Sequence, residues 1–305
     1  MAIALLYKIL QLFVFMIIGF ILAKLNVVKN HDSGVLSKLS LYLFMPSAII
    51  NAFDFEMTKN MAGGLLLAFG AAIVIHIVLF GLDFLYARYI SSNVVERASV
   101  MYPNAGNLII PIVLSVLGNE WVVYSTAYLS VQLIFIWSHG VKLYSGGKIQ
   151  LKKVLLNINI IAILIGLTFM LINFRIPAFA KDITTALGDM VGPVGMIIAG
   201  ILAADIDYKN TLKNKRLYIV VFLRMIVYPI ITLAIVKMLA FIPVMNSKNI
   251  LLISFLASLT PSAATVMQLA KIHEKDADFA AAVNIATTIV CVVTMPLFVA
   301  IFLAF

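Results

Sequence analysis

The sequence predicts an all-α membrane protein with ten transmembrane helices, arranged as two inverted five-helix repeats in which helices four and nine are broken. Three observations lead there. Of the 305 residues, 63% are hydrophobic and only 11% are charged, whereas a soluble domain carries about 25% charged residues. The mean hydropathy of +1.10 agrees. The apolar residues gather into ten runs, each near the length that crosses a bilayer. Two of those runs, in corresponding places of the two halves, are interrupted near mid-span by proline and small polar residues. Helix is the conformation these runs require, because open strands cannot span lipid and no alternating barrel pattern is present.

The runs are 4–25, 34–53, 61–87, 97–117, 121–143, 154–174, 182–204, 215–240, 249–270 and 278–303. The first continues past Leu22 with no small-residue cleavage site behind it, so it reads as a span and not as a cleaved signal. Pro46 in the second, Pro193 in the seventh, Pro229 in the eighth and Pro296 in the tenth read as kinks or packing features. The loop Tyr144-Ser145-Gly146-Gly147-Lys148 divides the chain into 1–147 and 148–305, five runs each. Five is odd, so the second unit sits upside down relative to the first, a common plan of secondary transporters.

Orientation follows from the basic residues. With the N-terminus outside, the inner loops hold Lys24, Lys29, Arg88, Arg97, Lys142, Lys148, Lys152, Lys153, Lys209, Lys213, Lys215, Arg216, Lys271 and Lys275. The outer loops hold only Lys59, Arg175, Lys181, Lys237 and Lys248. This positive-inside bias predicts a multi-pass protein of the cell membrane with both termini outside. The net charge of +9 is thereby topogenic, and no nucleic-acid partner is expected. Cys291 is the one cysteine, which excludes an intrachain disulfide and a cysteine-based metal site.

The interrupted spans carry the chemistry. A proline within a helix removes one N–H and leaves the carbonyl four residues back without a partner. Pro111 is therefore expected to free the carbonyl of Asn107, and Pro261 that of Ala257. The half-helices starting at these prolines are expected to present the N–H groups of Ile112 and Val113, and of Ser262 and Ala263. Helix N-termini carry partial positive charge, so two that meet near the midplane suit a carboxylate. Asn104, Asn107, Ser262, Thr265 and Gln268 are placed to orient a ligand without burying a charge.

The stretch Asn104-Ala105-Gly106-Asn107-Leu108-Ile109-Ile110-Pro111 resembles the Asn-x-Gly-x-x-Gly-x-Pro pattern of the auxin efflux carrier family. That family includes plant PIN-FORMED exporters and bacterial permeases for malate and malonate. Pro261-Ser262-Ala263 followed by Leu269-Ala270 is similar to its ninth-helix pattern, and Leu187 to Ala203, Arg224 to Pro229 and Thr287 to Leu297 fit in register. Ile109 departs from the family's glycine, and Pro103 is unusual there. The resemblance implies a scaffold of 4–53 and 154–204, often dimeric, and a transport unit of 61–143 and 215–303. It implies broken helices crossing at Pro111 and Pro261, a carboxylate held there, and an elevator-like movement of the transport unit. By position, Asn104 is the family's fourth-helix asparagine.

Ionisable residues within the membrane are functional candidates. Arg224 either counters a substrate carboxylate or pairs with an acid. Asp189 reads as a hydrogen-bonded packing residue ahead of a proton relay, and His76 as a satisfied buried histidine ahead of a proton carrier. His139 and Asp83 are expected to snorkel or pair near the cytoplasmic end. Tyr128 and Asn284 are candidate pocket-lining residues. No phosphate-binding glycine loop and no catalytic constellation appears, so an enzyme is not expected. The expectation is a secondary transporter of small organic carboxylates. It needs no cofactor and is driven by the anion gradient, the membrane potential, protons or sodium, the last through the freed carbonyls. The alternative is a ligand-binding membrane sensor that keeps the fold.

Overall fold

The computed structural model describes residues 2–55, 59–91, 93–147, 152, 155–206 and 208–304. Lys148 and Lys153 lie outside the described residues, and of Asn107 and Pro111 only the backbone is described. Among the described residues the regular elements are all helices. The first run is α1 (Ala2–Lys24). The second comprises α2 (Ser33–Leu39), a π-helical turn at Ser40–Phe44, and α3 (Met45–Ala52). The third is α4 (Lys59–Tyr89), and the fourth divides into α5 (Val94–Met101) and α6 (Ala105–Val116). The fifth runs through α7 (Val122–Phe135), a π-helical turn at Ile136–Gly140, and α8 (Val141–Ser145).

In the second half, α9 (Ile158–Leu171) is the sixth run. The seventh divides into α10 (Ala178–Gly188) and α11 (Val191–Ala204). The eighth is α12 (Lys215–Phe222), a π-helical turn at Leu223–Val227, and α13 (Tyr228–Leu239). The ninth divides into α14 (Ser247–Leu259) and α15 (Ala264–Ile272), and the tenth is α16 (Ala277–Ala304). Among the described residues, five stretches are each long and apolar enough to cross a membrane: Asn30–Ala52, Met61–Tyr89, Ala178–Ala204, Lys215–Leu239 and Ala277–Ala304. Shorter apolar helices accompany them, including Leu10–Lys24, Ile158–Leu171 and Ser247–Leu259.

The prolines explain two of the wide turns. Pro46 and Pro229 are each the second residue of a helix that follows a π-helical turn. A proline ring collides with the carbonyl four residues back. Those carbonyls belong to Tyr42 and Met225, both inside the wide turns, where the extra residue relieves the collision.

Two expectations are corrected. The fourth run does not break at Pro111. It breaks at 102–104, and α6 continues through Pro111. Tyr102 is extended (φ −97°, ψ 115°), as the residue before a proline tends to be, and the proline it precedes is Pro103. The seventh run, read as continuous, is interrupted at 189–190.

Packing is closest where α1 meets α11. A Cβ on Gly200 would run into the backbone of Met16, and one on Gly19 into the backbone of Ile197. These glycines allow the two helix backbones to touch, the usual way membrane helices gain packing contact. α3 lies against α9 and α10, and a Cβ on Gly166 would strike the Phe53 ring. On the other side of the molecule α14 packs on α4, α7 and α13. Every residue of 250–259 is buried, the mark of a helix enclosed on all sides.

Asp54, just beyond α3, pins α3 to the α9–α10 connection. Its carboxylate accepts from the Ile176 amide at 3.1 Å and pairs with Lys181 at 2.5 Å and Arg175 at 3.6 Å. Burial opposes ionisation of this group. The hydrogen bonds from Lys181 and Ile176 and the two positive charges outweigh it, so its pKa falls below the ordinary 3.8. A lowered carboxyl pKa adds stability that is complete above the unfolded value and is lost as the pH falls through the folded one. Asp54→Asn is therefore expected to melt lower than the wild type at neutral pH, with the gap closing below about pH 4. Thermal melts of both proteins across pH check this.

Candidate functional site

The two broken runs meet. Thr260, before Pro261, is extended (φ −63°, ψ 155°), as Tyr102 is before Pro103. Each break leaves backbone groups that lipid cannot satisfy, and each break satisfies the other. The Asn104 N–H donates to the Pro261 carbonyl at 2.8 Å, and the Ala263 N–H donates to the Tyr102 carbonyl at 2.9 Å. Together they form an isolated antiparallel bridge between Pro103 and Ser262. This mutual supply explains why the break falls at Pro103. A proline inside a helix only kinks it unless another segment takes up the freed groups, and that segment faces Pro103.

Side chains complete the junction. The Asn104 Oδ1 accepts from the Ala264 N–H at 3.4 Å, tying the start of α6 to the start of α15. Asn284 of α16 donates to the Ser262 carbonyl at 2.5 Å. The Ser262 N–H donates to the Thr287 hydroxyl at 3.1 Å. From the first half, Gln132 of α7 donates to the Pro103 carbonyl at 2.6 Å. The Tyr102 hydroxyl donates to the Phe135 carbonyl at 3.1 Å and lies 2.8 Å from His139 Nδ1. Asn104, Ser262 and Asn284 are 3%, 0% and 1% exposed, so the junction is enclosed.

Several polar atoms here have no hydrogen-bond partner: Asn104 Nδ2, Ser262 Oγ, Asn284 Oδ1 and Gln132 Oε1. The starts of α6 and α15 lie at the same junction, so two positive helix ends converge beside the Asn104 amide. The ion pairs formed by Asp32, Asp54 and Asp83 lie away from this junction.

The sequence-predicted residues divide accordingly. Asn104, Pro261, Ser262, Ala263 and Asn284 come together at the bridge. Ile112 and Val113 lie well inside α6, so their N–H groups do not stand at a helix start as expected. Ile112 instead lines a small apolar void with Leu12, Leu108 and Pro261. Tyr128 is fully buried, its hydroxyl without a partner and its ring 5.0 Å from that of His76. Arg224 is held by backbone carbonyls: its Nη2 donates to Ser258 at 2.7 Å and to Thr260 at 2.6 Å. Thr265 is half-buried on the first turn of α15. The side chains of Asn107 and Pro111 lie outside the described residues. Gln132 and Thr287 were missed. Their signal was a polar group in an apolar run, which many residues share.

The remaining ionisable residues are placed as follows. His76 Nδ1 lies 2.7 Å from the Ala72 carbonyl and its ring stacks on Phe135, but its buried Nε2 has no hydrogen-bond partner, so the histidine is only half satisfied. Asp83 takes two hydrogen bonds from Arg97, at 3.0 and 2.6 Å, with His139 at 3.8 Å. Asp189 was expected to pack with a hydrogen bond, and instead it is exposed at the turn between α10 and α11. The cause is that α10 buries none of its residues within this chain.

Gln268, one turn beyond Ala264, leads away from the junction into a cavity of about 500 Å³. Lys38, Leu41, Trp137, Leu202 and Lys271 line it as well. Gln268 Oε1 and Trp137 Nε1 have no hydrogen-bond partner. The cavity lies between the start of the second run and the ends of α11 and α15.

The model of the membrane transport protein family matches residues 4–149 and 143–299. The chain belongs to this family. The two matched stretches join near 143–149, where the loop divides the chain into five runs and five. Membership makes it a membrane transporter and not an enzyme, in keeping with its apolar helices. No curated protein matches the chain.

Proposed function

We propose that this member of the membrane transport protein family is a secondary transporter of small organic carboxylates, resembling the auxin efflux carriers and the malate and malonate permeases. The observation that carries the reading is the bridge between Pro103 and Ser262. It brings the positive ends of α6 and α15 to one buried place, beside the unpartnered Nδ2 of Asn104. A carboxylate offers the charge and the acceptor lone pairs that such a place lacks.

The ten runs form two inverted repeats in this reading. α1 to α3 and α9 to α11 make the scaffold, in which α11 packs on α1 and α2 while α3 packs on α9 and α10, and the helices around α14 make the moving unit. The cavity beside Gln268 is the path from the inner side, and Lys38 and Lys271 attract anions into it. Both termini face outward. A second copy covers α10, because an exposed carboxylate at Asp189 is costly against lipid. Protons or the membrane potential drive transport, with no cofactor.

A thermal-shift screen of the purified protein against small carboxylates, followed by uptake into proteoliposomes, tests the proposal. Stabilisation by a carboxylate with saturable uptake is expected. Binding without uptake would make the protein a sensor. The absence of both binding and uptake would refute the reading.

A further inference from the structure

The end of α14 stops inside the membrane, and its last carbonyls have lost their helical partners. The Ala257 carbonyl accepts from the Thr260 N–H at 3.4 Å and from the Thr260 hydroxyl at 2.8 Å. The Leu259 carbonyl faces the Cys291 thiol at 3.6 Å. The Ser258 and Thr260 carbonyls both accept from Nη2 of Arg224. Arg224 is 1% exposed, and among the described residues no carboxylate pairs with it. A buried charge without an ionic partner is expensive unless dipoles surround it. Here the negative end of a helix and two carbonyls supply them.

Among the described residues, the opposite break has no such arginine. At the end of α5 the Tyr102 carbonyl is served by the Ala263 N–H and the Pro103 carbonyl by the Gln132 amide, both neutral donors. The two sides of the bridge thus differ by one fixed positive charge. The wide turn at Leu223–Val227 carries this arginine on α12–α13. Carbonyls converging at a broken helix are also what a bound monovalent cation uses.

We infer that Arg224 is a tethered counter-ion at the end of α14, occupying the carbonyls that a coupling sodium ion would otherwise take. The junction therefore has no use for sodium. Its standing positive charge adds to the two helix starts, which favours an anion without a co-transported cation. Only this last consequence rests on the proposed function. The test below needs no substrate, so its failure is separable from failure of that proposal.

Thermal melts of the purified protein in sodium chloride and in choline chloride at equal concentration are expected to coincide. Arg224→Ala is expected to melt lower and to recover on the order of 5 °C with sodium or with dilute guanidinium chloride, which refill the vacated place. The wild type gains nothing from either. Arg224→Lys is expected to stay near the wild type, and Arg224→Met, of similar reach without the charge, to fall well below it. Sodium raising the melting point of the wild type would overturn the inference. So would an Arg224→Ala protein that folds yet answers to neither cation. If Arg224→Ala does not fold, equal melting points for Arg224→Lys and Arg224→Met would overturn it.

Discussion

Asn104→Asp is expected to abolish the proposed carboxylate binding while leaving the protein folded. The substitution changes almost no volume. The Oδ1 that accepts from the Ala264 N–H is kept, and aspartate is as good as asparagine at the start of a helix. The new charge sits at the positive ends of α6 and α15, so the melting temperature is expected to hold or rise. What changes is the unpartnered Nδ2. A donor becomes an anion where the proposed carboxylate would lie. At about 4 Å and an effective dielectric constant near 20, like charges repel by about 4 kcal/mol, about a thousandfold in affinity. Thermal shift by malonate, measured on wild type and variant, checks both halves of this result.

Gly200→Leu acts by another route and is expected to remove the fold itself. Gly200 and Gly19 face each other's helices, and a Cβ on Gly200 would occupy the place of the Met16 carbonyl and the Phe20 amide nitrogen. Backbone cannot step aside as a side chain can, so α1 and α11 must separate along their length. Overpacking in a core costs about 1–3 kcal/mol when side chains can yield. Separation of two backbones is expected to cost more than about 4 kcal/mol. That corresponds to a melting point lower by on the order of 10 °C, or to protein recovered only as aggregate. Gly81→Ala is the control. Nothing lies within 4 Å of its Cβ position, so its melting point is expected to stay or rise slightly.

Much of this architecture was legible in the sequence, because a bilayer demands long apolar runs and each run announces itself. The break in the ninth run was legible as well, since Thr260, Pro261 and Ser262 put a proline and two hydroxyls in the middle of an apolar stretch. The break in the fourth run was misplaced by eight residues, from Pro103 to Pro111. Both prolines look alike in sequence. What separates them is the segment across the molecule, the Pro261 carbonyl and the Ala263 N–H, and that segment lies far away along the chain. Gln132 was missed for the same reason: its amide matters because the Pro103 carbonyl faces it. Arg224 was noticed as a buried charge. Its partners proved to be carbonyls and not an acid, a distinction that no spacing of residues displays.

The most direct measurement is the uptake of radiolabelled malonate and malate into proteoliposomes holding equal amounts of folded wild type and Asn104→Asp. Saturable uptake of one of these acids by the wild type, reduced to the level of empty liposomes by the variant, is the predicted result. Equal uptake by the two proteins would contradict the account, because it would mean that the anion crosses without meeting the junction of the two broken helices.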